Sequence, residues 1–172
     1  MTSFTVLIGA PQSHSALRAA ALHAAEALLP PTGISDPVEV VDLASFGSAL
    51  LAADPGEEVT AALGRVRASD VVLVVSPQVH GSYTGLLKVF LDRIPEVGLG
   101  HTIAVPMAVV DDLRTGRGVE DDLRVLLSDL GARVIEPGLL LARDELGDPA
   151  GVIAAWSEVA APTLRQATVV SV

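Results

Sequence analysis

Three histidines and two adjacent aspartates are the residues of this chain best suited to proton or metal chemistry. His14, His80 and His101 could meet Asp111 or Asp112 if the fold brought strand ends together. Histidine titrates near neutral pH and is a common metal ligand, so such a set could act as acid and base. No two of the histidines carry the spacing of a metal pair, so no metal site is expected. His80 is the candidate catalytic residue, because it sits in a polar loop directly after an apolar run; His23 reads as structural. No Gly-x-Ser-x-Gly elbow accompanies Ser13, His14 and Asp42, so a hydrolase triad is not indicated. Cysteine is absent, which excludes disulfides, thiolate sites and a cysteine nucleophile. The segment SPQVHGSYTGLLKVFLDRIP, residues 76–95, holds the only tyrosine, Tyr83, and the only lysine, Lys88. Lys88 and Asp92 lie four apart, the spacing of a surface ion pair on one helix face.

Positioning such residues takes a scaffold, and the hydrophobic pattern supplies one. Apolar runs at Phe4–Ile8, Val38–Asp42, Val71–Val75 and Thr102–Val110, the last interrupted by Pro106, read as strands, and Arg133–Leu141 holds a fifth. Helical spacing covers Ser15–Leu29, stopped by Pro30-Pro31, then Glu57–Ala68, Gly85–Ile94, Val119–Leu130 and Pro149–Gln166, with a possible end near Pro162. Residues 43–56 read as a loop and Thr168–Val172 as a tail. Strands without polar alternation are covered on both faces, as in a parallel sheet between helices. Five βα units in succession predict one α/β domain over residues 1–172. Its expected form is a flavodoxin-like three-layer sandwich with a five-stranded parallel sheet.

In such sheets ligands bind beyond the carboxyl ends of the strands. Three loops qualify: Gly9–Ser15, Ser76–Thr84 and Val110–Gly118. In the first, GAPQSHSALRAA, Ser15 is the expected helix cap, and free amides with the helix dipole favour a phosphate. The glycines of a Walker A loop or a dinucleotide fingerprint are missing. The formal net charge of -10 and the lack of a basic run argue against nucleic-acid binding. No signal-peptide pattern or span-length apolar run is present, so a cytoplasmic protein away from the membrane is expected. The remaining acids read as solvated or helix-start residues, and Trp156 as core or interface.

The stretch Ser76-Pro77, then Ser82-Tyr83-Thr84-Gly85-Leu86-Leu87-Lys88-Val89-Phe90-Leu91-Asp92, resembles the NAD(P)H-dependent FMN reductase family. The resemblance is to the subgroup that feeds reduced flavin to alkanesulfonate-type monooxygenases. It extends over most of the chain, including the VPMA strand. It implies bound FMN, hydride transfer from NADPH or NADH, a possible monooxygenase partner, and a homodimer or homotetramer. The apolar surface of the Gly85–Pro95 helix points to association as well. The resemblance further implies that Gly9, Gln12, Ser13 and Ser15 hold the phosphate. It places Pro77, Gln78, Val79, His80, Ser82 and Tyr83 beside the flavin ring, and Val110 and Asp111 over it. Lys88 and Asp92 would be structural.

The chain departs from the family pattern in all three loops. The usual Gly-Ser-x-Arg start is Gly9-Ala10-Pro11-Gln12, leaving His14 or Arg18 to supply positive charge. An aromatic position after Pro77 is Val79, and the Thr-Gly-Gly after the fourth strand is Val109-Val110-Asp111, followed by Asp112. Carboxylates close to a flavin, whose reduced form is an anion, are unfavourable. These departures leave an alternative: a flavodoxin-fold protein that has lost FMN and serves as an accessory subunit or in other small-molecule chemistry.

Overall fold

The computed structural model describes residues 3–170. Five strand positions form a parallel sheet in the order β2-β1-β3-β4-β5, with β6 also on β4. The strands are β1 (Phe4–Ile8), β2 (Glu39–Asp42), β3 (Val71–Pro77), β4 (Ile103–Val110), β5 (Arg133–Val134) and β6 (Leu139–Ala142). The helices are α1 (Ser15–Thr32), α2 (Gly56–Ala68), α3 (Gly85–Leu91), α4 (Leu113–Asp129) and α5 (Ala150–Val170).

The period of two along each strand divides the core into two layers. Val6, Ile8, Leu73, Val75, Met107 and Val109 pack with α1 and α5 on one face. Leu7, Val72, Val74, Ala108 and Val110 pack with α2, α3 and α4 on the other. The central strands β1 and β4 are buried throughout, which is why their sequences lack polar alternation. This is the flavodoxin-like arrangement expected from the sequence.

Several boundaries differ from the sequence reading, each for a local reason. Helix α1 does not stop at Pro30-Pro31 but carries both in its last turn. Its end is set by Gly33, which adopts φ 70° and donates its amide to the Leu29 carbonyl at 3.1 Å. Pro162 likewise sits inside α5, on its exposed face, so the helix runs on into the segment read as a tail; Ser171 and Val172 lie outside the described residues. Residues 43–45 and 47–51 form 3-10 turns rather than open loop. Helix α3 ends at Leu91 rather than Ile94. Helix α4 begins at Leu113, not Val119. Gly116 and Gly118 hide its first turns from a propensity reading, although a Cβ on Gly116 would lie 2.3 Å from Val110 Cβ.

The fifth strand position is broken into β5 and β6, not continuous. The register explains the break. Arg133 and Ile135 donate their amides to the carbonyls of Thr102 and Ala104, so even-numbered β4 residues face this edge. Pro106 is the next in that series and has no amide to offer. Residues 136–138 accordingly leave the ladder opposite it, and the Gly138 amide bonds Glu120 Oε1 from α4 at 3.2 Å.

The apolar face of α3 is also internal. Leu87, Phe90 and Leu91 are buried in the second core layer, and Leu86 and Val89 pack against it. That helix therefore turns most of its aliphatic surface inward, with only parts of Leu86 and Val89 left exposed.

Candidate functional site

The chain leaves β1 for the edge strand β2 and returns on the other side of β1 as β3, so the crevice at a switch in strand order opens above β1 and β3. A cavity of about 300 Å³ lies there. Its walls are Ala10, Pro11, Gln12, His14 and Leu17 from the β1–α1 segment, Pro77, Gln78 and Val79 after β3, Val109 from β4, and Arg143 and Leu146 after β6. The volume is at the lower end for small-molecule sites, and the mixture of apolar walls with few polar groups is usual for them.

The two principal loops are fastened to each other below the cavity. Gly9 donates its amide to the Val75 carbonyl at 2.8 Å, and its own carbonyl accepts from the Thr84 hydroxyl. The same hydroxyl accepts from the Leu87 amide at 3.2 Å, capping α3. Ser76 Oγ, fully buried, accepts from the Thr84 amide at 3.0 Å. A Cβ on Gly9 would stand 2.7 Å from Leu87 Cβ, so only glycine allows this approach. The Ser-Tyr-Thr-Gly segment thus joins the first loop to the third helix.

At the start of α1 the cap is His14 rather than Ser15: His14 Nδ1 accepts from the Leu17 amide at 3.2 Å. The amides of Gln12, Ser13, Ser15 and Ala16 meet no acceptor among the described residues. Unsatisfied amides at the positive end of a helix dipole, opening beside the cavity, fit a phosphate. Ser13 and Ser15 are exposed on that rim.

The β3 loop folds into a tight hairpin. Val79 and Ser82 exchange backbone hydrogen bonds at 2.9 and 3.2 Å, and His80 (φ 49°) with Gly81 (φ 88°) forms its turn, as in a type I′ turn. His80 is exposed at the tip. Ser82 donates to Asp122 on α4, and Tyr83 packs against the second core layer. Neither lines the cavity. Val110 belongs to β4 and faces away from it, whereas its neighbour Val109 faces in.

His101 precedes β4, at the opposite end of the sheet, so the three histidines do not converge. Among the described residues no group of three or more His, Asp or Glu is placed to share a metal ion. Both aspartates after β4 are engaged. Asp112 caps α4 by accepting from the Arg114 amide at 2.8 Å. Asp111 accepts from Arg143 Nε at 2.8 Å, and its amide donates to Gln78 Oε1 at 3.2 Å. Arg143 is the residue that reading the loops one at a time overlooks. Its only signal is a cation directly after the last strand, in LLLARDE.

A doubly wound sheet with an apolar crevice at its switch point and free helix amides on the rim suits a ligand that carries a phosphate. The chain belongs to the NADPH-dependent FMN reductase family, whose profile matches residues 2–145. It is accordingly an oxidoreductase of the flavoprotein class, using FMN with a nicotinamide donor. An oxidoreductase from Corynebacterium diphtheriae superimposes with a TM-score of 0.82 at 24% identity, over 98% of this chain and 97% of that one. An NADH:FMN oxidoreductase in its apo form gives 0.81 at 21% identity, over 96% and 89%. A flavodoxin from Pseudomonas aeruginosa gives 0.60 at 20% identity, over 95% and 99%. At these identities the likeness is one of fold. No curated protein sequence matches the chain.

Proposed function

We propose that this protein, a single domain over residues 1–172, reduces FMN with NADPH or NADH and releases reduced flavin to a monooxygenase or a small acceptor. The observation that carries the site is the row of unpartnered amides at the start of α1, on the rim of the apolar crevice. Gln12, Ser13 and Ser15 would hold the FMN phosphate through backbone amides and hydroxyls, in place of the arginine the first loop lacks, while Gly9, its own amide bonded to the Val75 carbonyl, would set the start of the loop. Pro77, Gln78 and Val79 would line one side of the ring, with His80 at the outer turn and Ser82 and Tyr83 anchoring the hairpin from behind. Asp111, joined to Gln78 and Arg143, would hold the loop after β4 against that hairpin, with Val110 behind it. Bound FMN supplies the redox chemistry, a hydride acceptor for the nicotinamide C4, so the chain's own task is to align the two rings and exclude water. No residue needs to act as acid or base in the hydride step, consistent with the exposed position of His80.

Among the described residues no helix is long and apolar enough to cross a membrane. The proposed setting is the cytoplasm, with a homodimer or homotetramer as the working form. The test is a titration of the purified protein with FMN, followed by anaerobic NADPH or NADH while the visible flavin band is recorded. Saturable binding and bleaching of the band are expected. A protein that binds no FMN, or binds it without bleaching by either nucleotide, does not carry out this reaction.

A further inference from the structure

We propose that Arg143, held by Asp111, is the countercharge for anionic charge on the bound flavin; this rests on the flavin reading above. Of the residues lining the cavity, Arg143 is the only lysine or arginine. The first loop, residues 9–17, contains no fixed cation, and Arg18 is exposed and does not line the cavity. Asp111 takes Arg143 through Nε alone, at 2.8 Å, so neither terminal nitrogen of the guanidinium is committed to a described residue. Asp111 is not among the lining residues, whereas Arg143 is. The pair thus places its guanidinium at the cavity and its carboxylate off it, with both side chains also reaching solvent. The carboxylate that would repel a reduced flavin is thereby turned into a tether for the group that attracts it.

Flavin carries negative charge in two places, the phosphate and the reduced ring, and a guanidinium could answer either. The experiment separates them with Arg143→Gln and Arg143→Lys in the full chain. Flavin fluorescence gives dissociation constants for FMN and for riboflavin, which lacks the phosphate, and a dye-coupled titration gives the midpoint potential of bound FMN. If the phosphate is the partner, Arg143→Gln weakens FMN about fivefold at low salt and leaves riboflavin unchanged. If the reduced ring is the partner, binding of oxidised flavin is unaffected and the potential falls by about 20 mV, the two-electron equivalent of fivefold. In either case Arg143→Lys keeps most of the effect, and the gap between wild type and Arg143→Gln narrows as salt is raised. Wild type that binds FMN, with Arg143→Gln matching it in affinity and potential, overturns the inference alone. Equal impairment of the Gln and Lys variants also overturns it, because the role would then be one of shape. Wild type that binds neither flavin overturns the flavin reading and this inference together.

Discussion

Thr84 does more for the site than its neighbour Tyr83, although the tyrosine is the conspicuous residue. One hydroxyl fastens the Gly9 carbonyl and caps α3 at Leu87. Thr84→Val, which keeps the shape and loses the hydroxyl, is expected to cost about 1–2 kcal/mol in chemical denaturation and to weaken FMN by loosening the first loop. Gly9→Ala drives a methyl into the Leu87 Cβ, an anchored atom that cannot swing aside, and should cost about 1–3 kcal/mol. His80 is bound by the opposite constraint: it occupies a left-handed conformation that glycine adopts without strain. His80→Gly should raise the thermal midpoint, by the equivalent of up to about 1 kcal/mol. Lys88 keeps a surface pair with Asp92, whose hydrogen bond raises the lysine pKa. A raised pKa makes that contribution complete at neutral pH and lost only in strong alkali, above the ordinary lysine value. Since both groups are exposed, Lys88→Gln should leave the neutral-pH melting temperature unchanged.

At the scale of elements, the broken fifth strand leads to the outer wall of the crevice at Arg143 and Leu146, and α4 packs against the opposite face of the sheet. Helix α4 starts early because Asp112 caps it and Gly116 lets it lie against Val110. Gly116→Ala would ordinarily favour a helix, yet here it should destabilise by about 1–3 kcal/mol in denaturant titration, because its methyl overlaps Val110. The gap between β5 and β6 follows from the missing amide of Pro106, and Glu120 takes up the amide left at Gly138. Glu120→Ala should cost about 1 kcal/mol and speed hydrogen exchange at Gly138 more than in α4 itself. The last strand then resumes as β6 and delivers Arg143 to the cavity.

Over the whole molecule, charge works against the proposed ligands. The chain carries a formal net charge of -10, and FMN and NADPH are both anions. The association rate constant for FMN, measured by stopped-flow fluorescence, should therefore rise with ionic strength as the long-range repulsion is screened. A rate that falls with salt would mean that the local field of Arg143 and the α1 terminus outweighs the sum of the remaining charges.

The sequence alone determined the sheet, because buried parallel strands write themselves as unbroken apolar runs. It also determined the family, because the Ser-Tyr-Thr-Gly-Leu-Leu-Lys segment must cap its own helix and fasten the first loop at once. Capping and strand breaks were less legible. His14 replaces Ser15 as a cap, and the fifth strand breaks opposite a proline on its neighbour, since both depend on which group a backbone amide meets in space. The neutralisation of Asp111 was legible nowhere in its own loop. Its partner Arg143 lies 32 positions further along the chain, and only the parallel pairing of β6 with β4 brings the two strand ends together.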